Sequence, residues 1–242
     1  MQPSHRIKLA VRASPPLWSA YVAARFPSQR WKRARDAVCL PHHDLVLDGY
    51  PRSANSYMFN FAARFLDGHR IVHHSHASAT LKMARRFGVP TFVLVRDPMD
   101  AVTSNVIRSG GNLPYHEAHY AQYHRYVDDH REAFTVVPFQ TAIEDPTRVL
   151  AEIETSLGQE PSRPSPEAVA EAEAAISAHL ERLAEDKYGD KADAKKAVPD
   201  EDREQQKARV RETVRERGPV AELDALYEAL VGDAPLARQA PA

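Results

Sequence analysis

The sequence predicts an α/β domain, a three-layer arrangement around a mainly parallel sheet, with a helical extension at its C-terminal end. Three observations carry that prediction. Leu45–Leu47 is a short apolar run that passes through a small-residue turn directly into an amphipathic helix. Thr91–Val95 (TFVLV) is apolar and β-branched without alternation, the pattern of a strand buried on both faces, and it too leads straight into a helix start. The chain has 242 residues, 43% of them hydrophobic, which suits one domain with a full core.

Residues 1–40 read as an N-terminal helical segment. Leu17–Ala24 is apolar but short, follows two prolines and ends at Arg25, so it has the form of neither a leader nor a membrane span. Arg25, Arg30, Lys32, Arg33 and Arg35 form a local basic patch, read as a solvated helix face. A net charge of −1 argues against a nucleic-acid surface. The single cysteine, Cys39, excludes a disulfide framework, is read as a packing residue, and suits a reducing, cytoplasmic compartment.

The α/β core is placed at 44–158. Its first unit is DLVLDGYPRSANSY, Asp44–Tyr57. After the strand, Ser53–Ser56 opens a helix whose predicted apolar face is Phe59, Ala62, Ala63 and Leu66. The first N–H groups of a helix lack internal partners and carry partial positive charge, so a strand–turn–helix of this kind can cradle an anion. Arg52 adds a permanent charge, and Asn55 and Ser56 add side-chain donors. The Walker motif is absent, since no Gly-Lys pair follows. An ordinary connection capped by Ser53 is the plain alternative.

His69–His76 reads as a second strand running into a loop. A period of two puts His74 and His76 on one face and His73 on the other. Two histidines on one face do not close a zinc site, and a single histidine acting as general base is the more economical role. Gly88 and Pro90 then stop a helix. After Thr91–Val95, Arg96 emerges at the strand's C-terminal end, where open parallel sheets bind ligands. Asp97 is the predicted N-cap, with Pro98 at the first helical position, and Ser104 lies two turns in. Arg96 and Ser104 can therefore converge on one anion.

Together these motifs resemble a known family. Gly49–Tyr57 (GYPRSANSY) is similar to the 5′-phosphosulfate loop of sulfotransferases that use 3′-phosphoadenosine 5′-phosphosulfate (PAPS). Arg96–Ser104 (RDPMDAVTS) resembles their 3′-phosphate motif, including the eight-residue step from Arg to Ser. In Val72–Ala77 (VHHSHA), His76 matches the family's catalytic histidine and His74 its lysine. Thr135–Phe139 and Ile143–Pro146 resemble a later strand and helix start. The family's late basic loop is not clearly present, Arg217-Gly218 being its only echo, and Ala54 and Asn55 stand where a Gly and a Thr are usual.

The resemblance implies a P-loop-like fold and transfer of a sulfuryl group from PAPS to a hydroxyl on a small molecule, glycan or peptide, leaving 3′,5′-adenosine bisphosphate. It implies His76 as general base and Arg52 as stabiliser of the leaving phosphate. Arg52, Ser53, Ala54, Asn55 and Ser56 are then expected on the 5′-phosphate, and Arg96 and Ser104 on the 3′-phosphate. No metal is required. Two other readings stay open: a nucleotide-dependent phosphotransferase using Asp97 as a metal-binding carboxylate, and a non-catalytic binding module.

Tyr115–Ala133 holds four histidines and four tyrosines. Tyr115, His119, Tyr123, Tyr126 and His130 form a stripe read as packing on the sheet, with an acceptor-pocket wall as the second option. Gly110–Pro114 is a candidate pocket rim. Residues 162–232 read as a charged helical extension: an Ala/Glu-rich helix at Pro166–Leu183, a charge-dense arm or lid at Glu185–Arg217, and a docking helix at Pro219–Val231. Residues 233–242 are expected to be a disordered tail.

Overall fold

The computed structural model describes residues 1–25, 37–109, 112–188, 208–214 and 221–237. Most of the basic patch, the Gly110-Gly111 pair, most of the charge-dense arm and Arg217-Gly218 lie outside the described residues.

The chain is an α/β domain whose four parallel strands are flanked by helices. The strands are β1 (Leu45–Gly49), β2 (Ile71–His73), β3 (Thr91–Val95) and β4 (Thr135–Pro138), in the order β2-β1-β3-β4. Every neighbouring pair is parallel, with Val46 opposite Val72, Leu47 opposite Phe92 and Gly49 opposite Leu94. Strand side chains alternate between two cores, which explains why the runs are apolar throughout. Val46, Val72, Val93 and Val136 join one core with Trp18, Leu81, Tyr123 and Leu230. Leu45, Leu47, Phe92, Leu94 and Val137 join the other with Phe61, Leu150, Ile153 and Ile176. Helices thus cover both faces.

The helices are α1 (Pro3–Ala13), α2 (Pro15–Arg25), α3 (Asn55–Phe65), α4 (Ser78–Phe87), α5 (Pro98–Ser109), α6 (Leu113–Asp128), α7 (Phe139–Glu144), α8 (Pro146–Ser156), α9 (Pro166–Tyr188) and α10 (Ala221–Gly232), with a further helical stretch at 208–214. Local signals account for many of their ends. Asp97 Oδ1 accepts from Asp100 N at 3.0 Å, Asp145 Oδ1 from Arg148 N at 3.1 Å, and Gly88 ends α4 at φ 67°. Leu223, Leu226 and Leu230 dock α10, as the apolar spacing predicts.

Three expectations are corrected. The helix after β1 starts at Asn55 with Ala54 as N-cap, in the left-handed region and without a side-chain cap bond, so Ser53 is not the cap. Its buried face is Met58, Phe61 and Ala62, while Ala63 is exposed: that start sets Met58 and Phe61 toward the sheet. The tail is ordered through Ala237, because Ala234 and Leu236 are buried, Thr141 Oγ1 donates to the Leu236 carbonyl and Arg148 to that of Pro235. Among the described residues no helix is long and apolar enough to cross a membrane.

Candidate active site

Strand order reverses between β1 and β3, since β1 is followed by β2 on one side and by β3 on the other. In open parallel sheets that switch point, at the strands' C-terminal ends, is where ligands bind. It is here that the two phosphate-like motifs meet. Arg52 Nε donates to Ser104 Oγ at 2.9 Å, and Arg96 Nη1 donates to the Arg52 carbonyl at 3.0 Å. Arg52, Arg96 and Ser104 therefore share one locality, although 44 residues separate the two arginines.

The loop leaving β1 has no room to move at its root. A Cβ on Gly49 would stand 2.3 Å from the Leu94 carbonyl oxygen, so only glycine permits this approach of β1 to β3. Beyond it the chain bends through Arg52 at φ 76° and Ala54 at φ 65°, two non-glycine residues in the left-handed region. Such residues cost of order 1 kcal/mol each and concentrate at functional sites. Asn55 Nδ2 donates to the Tyr50 carbonyl at 2.9 Å and holds the bend. One of the two N–H bonds of the Asn55 amide thus serves the loop, and its Oδ1 is an acceptor. The Ser53 hydroxyl is fully buried and has no hydrogen-bond partner among the described residues. An orphaned hydroxyl beside a helix N-terminus and a cation suits an anion.

The histidine loop departs from the expected register. β2 ends at His73, and His74 (φ 54°) and His76 (φ 50°) are both left-handed, so strand alternation does not apply. His74 and His76 still face each other, with ring centroids 5.8 Å apart. His73, half-buried, stacks on Phe59 at 3.5 Å and contacts His74 Nδ1 through its own Nδ1 at 2.6 Å. His74 Nε2 lies 2.8 Å from Ser56 Oγ, which ties the start of α3 to this loop.

His76 is held on four sides. Its Nδ1 lies 2.6 Å from the Gly49 carbonyl, and a carbonyl only accepts, so Nδ1 carries the proton and Nε2 the lone pair. Its N–H donates to Asp48 Oδ2 at 2.9 Å. Its carbonyl accepts from Arg12 Nη1 at 2.9 Å and His119 Nε2 at 2.8 Å. Burial first, then the Arg12 and Arg108 guanidiniums, lower its pKa to about 4 against the Gly49 carbonyl, and burial likewise lowers His74 to about 4. At neutral pH both rings are uncharged, and Nε2 of His76 is able to take a proton.

Two residues of this site escaped the sequence reading. Asp48, fully buried, also accepts from Ser75 Oγ at 2.6 Å and Tyr123 OH at 3.4 Å. Burial raises its pKa to about 6 against those donors. A lone carboxylate inside an otherwise apolar strand was the available signal. Arg12 had none, since it reaches Ser75 and His76 from 63 and 64 residues away.

The aromatic stripe of α6 is packing. Tyr50 lies 5.1 Å from the rings of both His119 and Tyr120, and Tyr120 OH donates to the Arg96 carbonyl at 2.8 Å. A small cleft of about 40 Å³, open to solvent, lies between α5, α6, α10 and 208–214, and none of the predicted site residues line it. Among the described residues no group of three His, Cys, Asp or Glu side chains is arranged to hold a metal ion. No protein-family model matches the chain, and no curated protein matches it.

Proposed function

We propose that this protein is a P-loop-like sulfotransferase moving a sulfuryl group from PAPS to an acceptor hydroxyl, on a small molecule, glycan or peptide. The observation that carries the reading is the Arg96–Arg52–Ser104 chain of hydrogen bonds, which joins the two motifs at one switch point beside an anchored neutral His76. The chain's residues suit the nucleotide. The orphaned Ser53 hydroxyl, the Arg52 guanidinium and the first N–H groups of α3 fit a 5′-phosphosulfate, with Ala54 and Asn55 shaping the turn. Arg96 and Ser104 fit a 3′-phosphate. When bound, PAPS supplies the activated sulfuryl group and a phosphate leaving group.

In this reading His76 Nε2 takes the acceptor's hydroxyl proton while the Gly49 carbonyl holds Nδ1–H and fixes the tautomer. Arg52 balances negative charge on the leaving phosphate oxygen. Ser56 Oγ is bonded to His74 Nε2, and the neutral His74 stands where the resembling family carries a lysine without supplying its charge. A magnesium-dependent phosphotransfer has less support, because Asp97 is engaged as the α5 N-cap.

Thermal denaturation with 3′,5′-adenosine bisphosphate, compared with ATP and magnesium, tests the nucleotide. At about a hundredfold excess over Kd, the bisphosphate should raise Tm by about 5 °C or more. Stabilisation by ATP and magnesium alone overturns the reading. Labelled PAPS offered with pooled alcohols, phenols, glycans and peptides then identifies the acceptor, and a complete lack of transfer despite nucleotide binding favours a binding module.

A further inference from the structure

Asp100 stands between two guanidiniums. Its Oδ2 accepts from Arg96 Nη2 at 3.2 Å, and its Oδ1 accepts from Arg211 Nη2. Arg211 belongs to 208–214, and 111 residues of chain separate it from its partner. Arg96 is fixed from behind: its guanidinium lies 4.2 Å from the Phe139 ring centroid, and Nη1 is bonded to the Arg52 carbonyl. Its buried Nε has no hydrogen-bond partner among the described residues. Ser104 Oγ, which accepts from Arg52, keeps its own proton to donate.

We propose that Arg96 and Arg211 form a site for a phosphate monoester dianion which Asp100 fills from within the chain, making Arg211 a specificity-determining residue for the nucleotide 3′-phosphate and Asp100 its internal competitor. The inference rests on the nucleotide reading above. Charge and geometry both favour displacement. One carboxylate offers a single negative charge to two guanidiniums, whereas a phosphate monoester offers up to two charges and three strong acceptor oxygens. The cations need not travel. The Asp100 side chain is about one-third exposed, so it can turn into water while the first turn of α5 continues to favour negative charge. Arg211 also answers how the 3′-phosphate end is closed without a recognisable late basic loop: the stretch 208–214 meets the first turn of α5 and contributes its own cation.

Calorimetric titration of the full chain with 3′,5′-adenosine bisphosphate and with adenosine 5′-phosphate tests this. Arg211→Ala should weaken the bisphosphate about tenfold, the effect of one charge-assisted hydrogen bond, and leave adenosine 5′-phosphate within about twofold. Asp100→Asn should tighten the bisphosphate several-fold, a gain that a damaged fold cannot imitate. An Arg211→Ala variant with wild-type bisphosphate affinity, or an Asp100→Asn variant with none of the gain, overturns the inference. An Arg211→Ala loss shared equally by both nucleotides overturns it while leaving the nucleotide reading intact, whereas wild-type protein that binds both equally also overturns the assignment of Arg96 and Ser104 to a 3′-phosphate. Wild-type protein that binds neither overturns both.

Discussion

Two loops at the C-terminal edge of the sheet, 50–54 and 74–76, each bend through two left-handed non-glycine residues, and they differ in how completely they are held. The histidine loop is pinned from outside itself, by Asp48, Gly49, Arg12 and His119. The cradle loop is held mainly by Asn55 on Tyr50 and by Arg96 on Arg52, and the buried Ser53 hydroxyl in its middle has no partner among the described residues. Strain of similar size is thus stored in one loop whose polar groups are satisfied and in another with an orphaned one. The proposed function accounts for the difference: a base would be aimed before the acceptor arrives, whereas a cradle would complete its bonding with the anion it receives.

The largest expected effect separates the loops by function. His76→Ala should lower turnover by about 10²–10⁴-fold and leave affinity for 3′,5′-adenosine bisphosphate within a few-fold, measured by steady-state kinetics and calorimetry. Equal losses in both would mean that the pinned loop serves binding rather than proton transfer. The next effect tests the pin. Asp48→Ala leaves the Ser75 hydroxyl, the His76 N–H and the Tyr123 hydroxyl without their buried acceptor, at a cost of about 3 kcal/mol in denaturant unfolding. A loss below about 1 kcal/mol would show that Arg12, His119 and Gly49 hold the loop unaided.

Acid should act on the buried histidines, those of the histidine loop among them. His74 and His76 have native pKa values lowered to about 4 from 6.5, so the unfolded chain binds more protons between those values. Their stabilising contribution is complete above pH 6.5 and is lost as pH falls toward 4, with a slope of about 1.4 kcal/mol per pH unit for each ring. Asp48 opposes them: raised to about 6 from 3.8, its contribution is complete below 3.8 and is lost as pH rises through 6. Asp48→Asn should therefore steepen the loss of stability between pH 6 and pH 4 in urea titrations. An unchanged slope would mean that Asp48 does not titrate there. The smallest effect belongs to the cradle. Ala54→Gly relieves a left-handed alanine and should change stability by no more than about 1 kcal/mol, in the stabilising direction, because the φ of 65° costs glycine nothing. A loss larger than that would place a packing contact on the Ala54 methyl.

Sequence patterns determined the strands of this protein, several helix limits and the strand–turn–helix units from which the candidate site is built, because those features are written in short-range chemistry. A run such as Thr91–Val95 suits a strand covered on both faces, Asp97-Pro98 and Gly88 mark helix limits by their own backbone preferences, and a strand entering a helix through small residues leaves the first helical N–H groups without internal partners. Tertiary structure decided which of the site's polar groups are spent and which remain to be used. Asn55 turned inward to Tyr50, Arg12 and His119 closed on the His76 carbonyl, Asp48 gathered the loop after β2, and Arg211 reached Asp100 from 111 residues away. Those partners lie from 5 to 111 residues apart, and no periodicity records them. Hydrogen bonds form between whichever donors and acceptors packing brings within 3 Å, and that proximity is set by both cores together, not by any one segment.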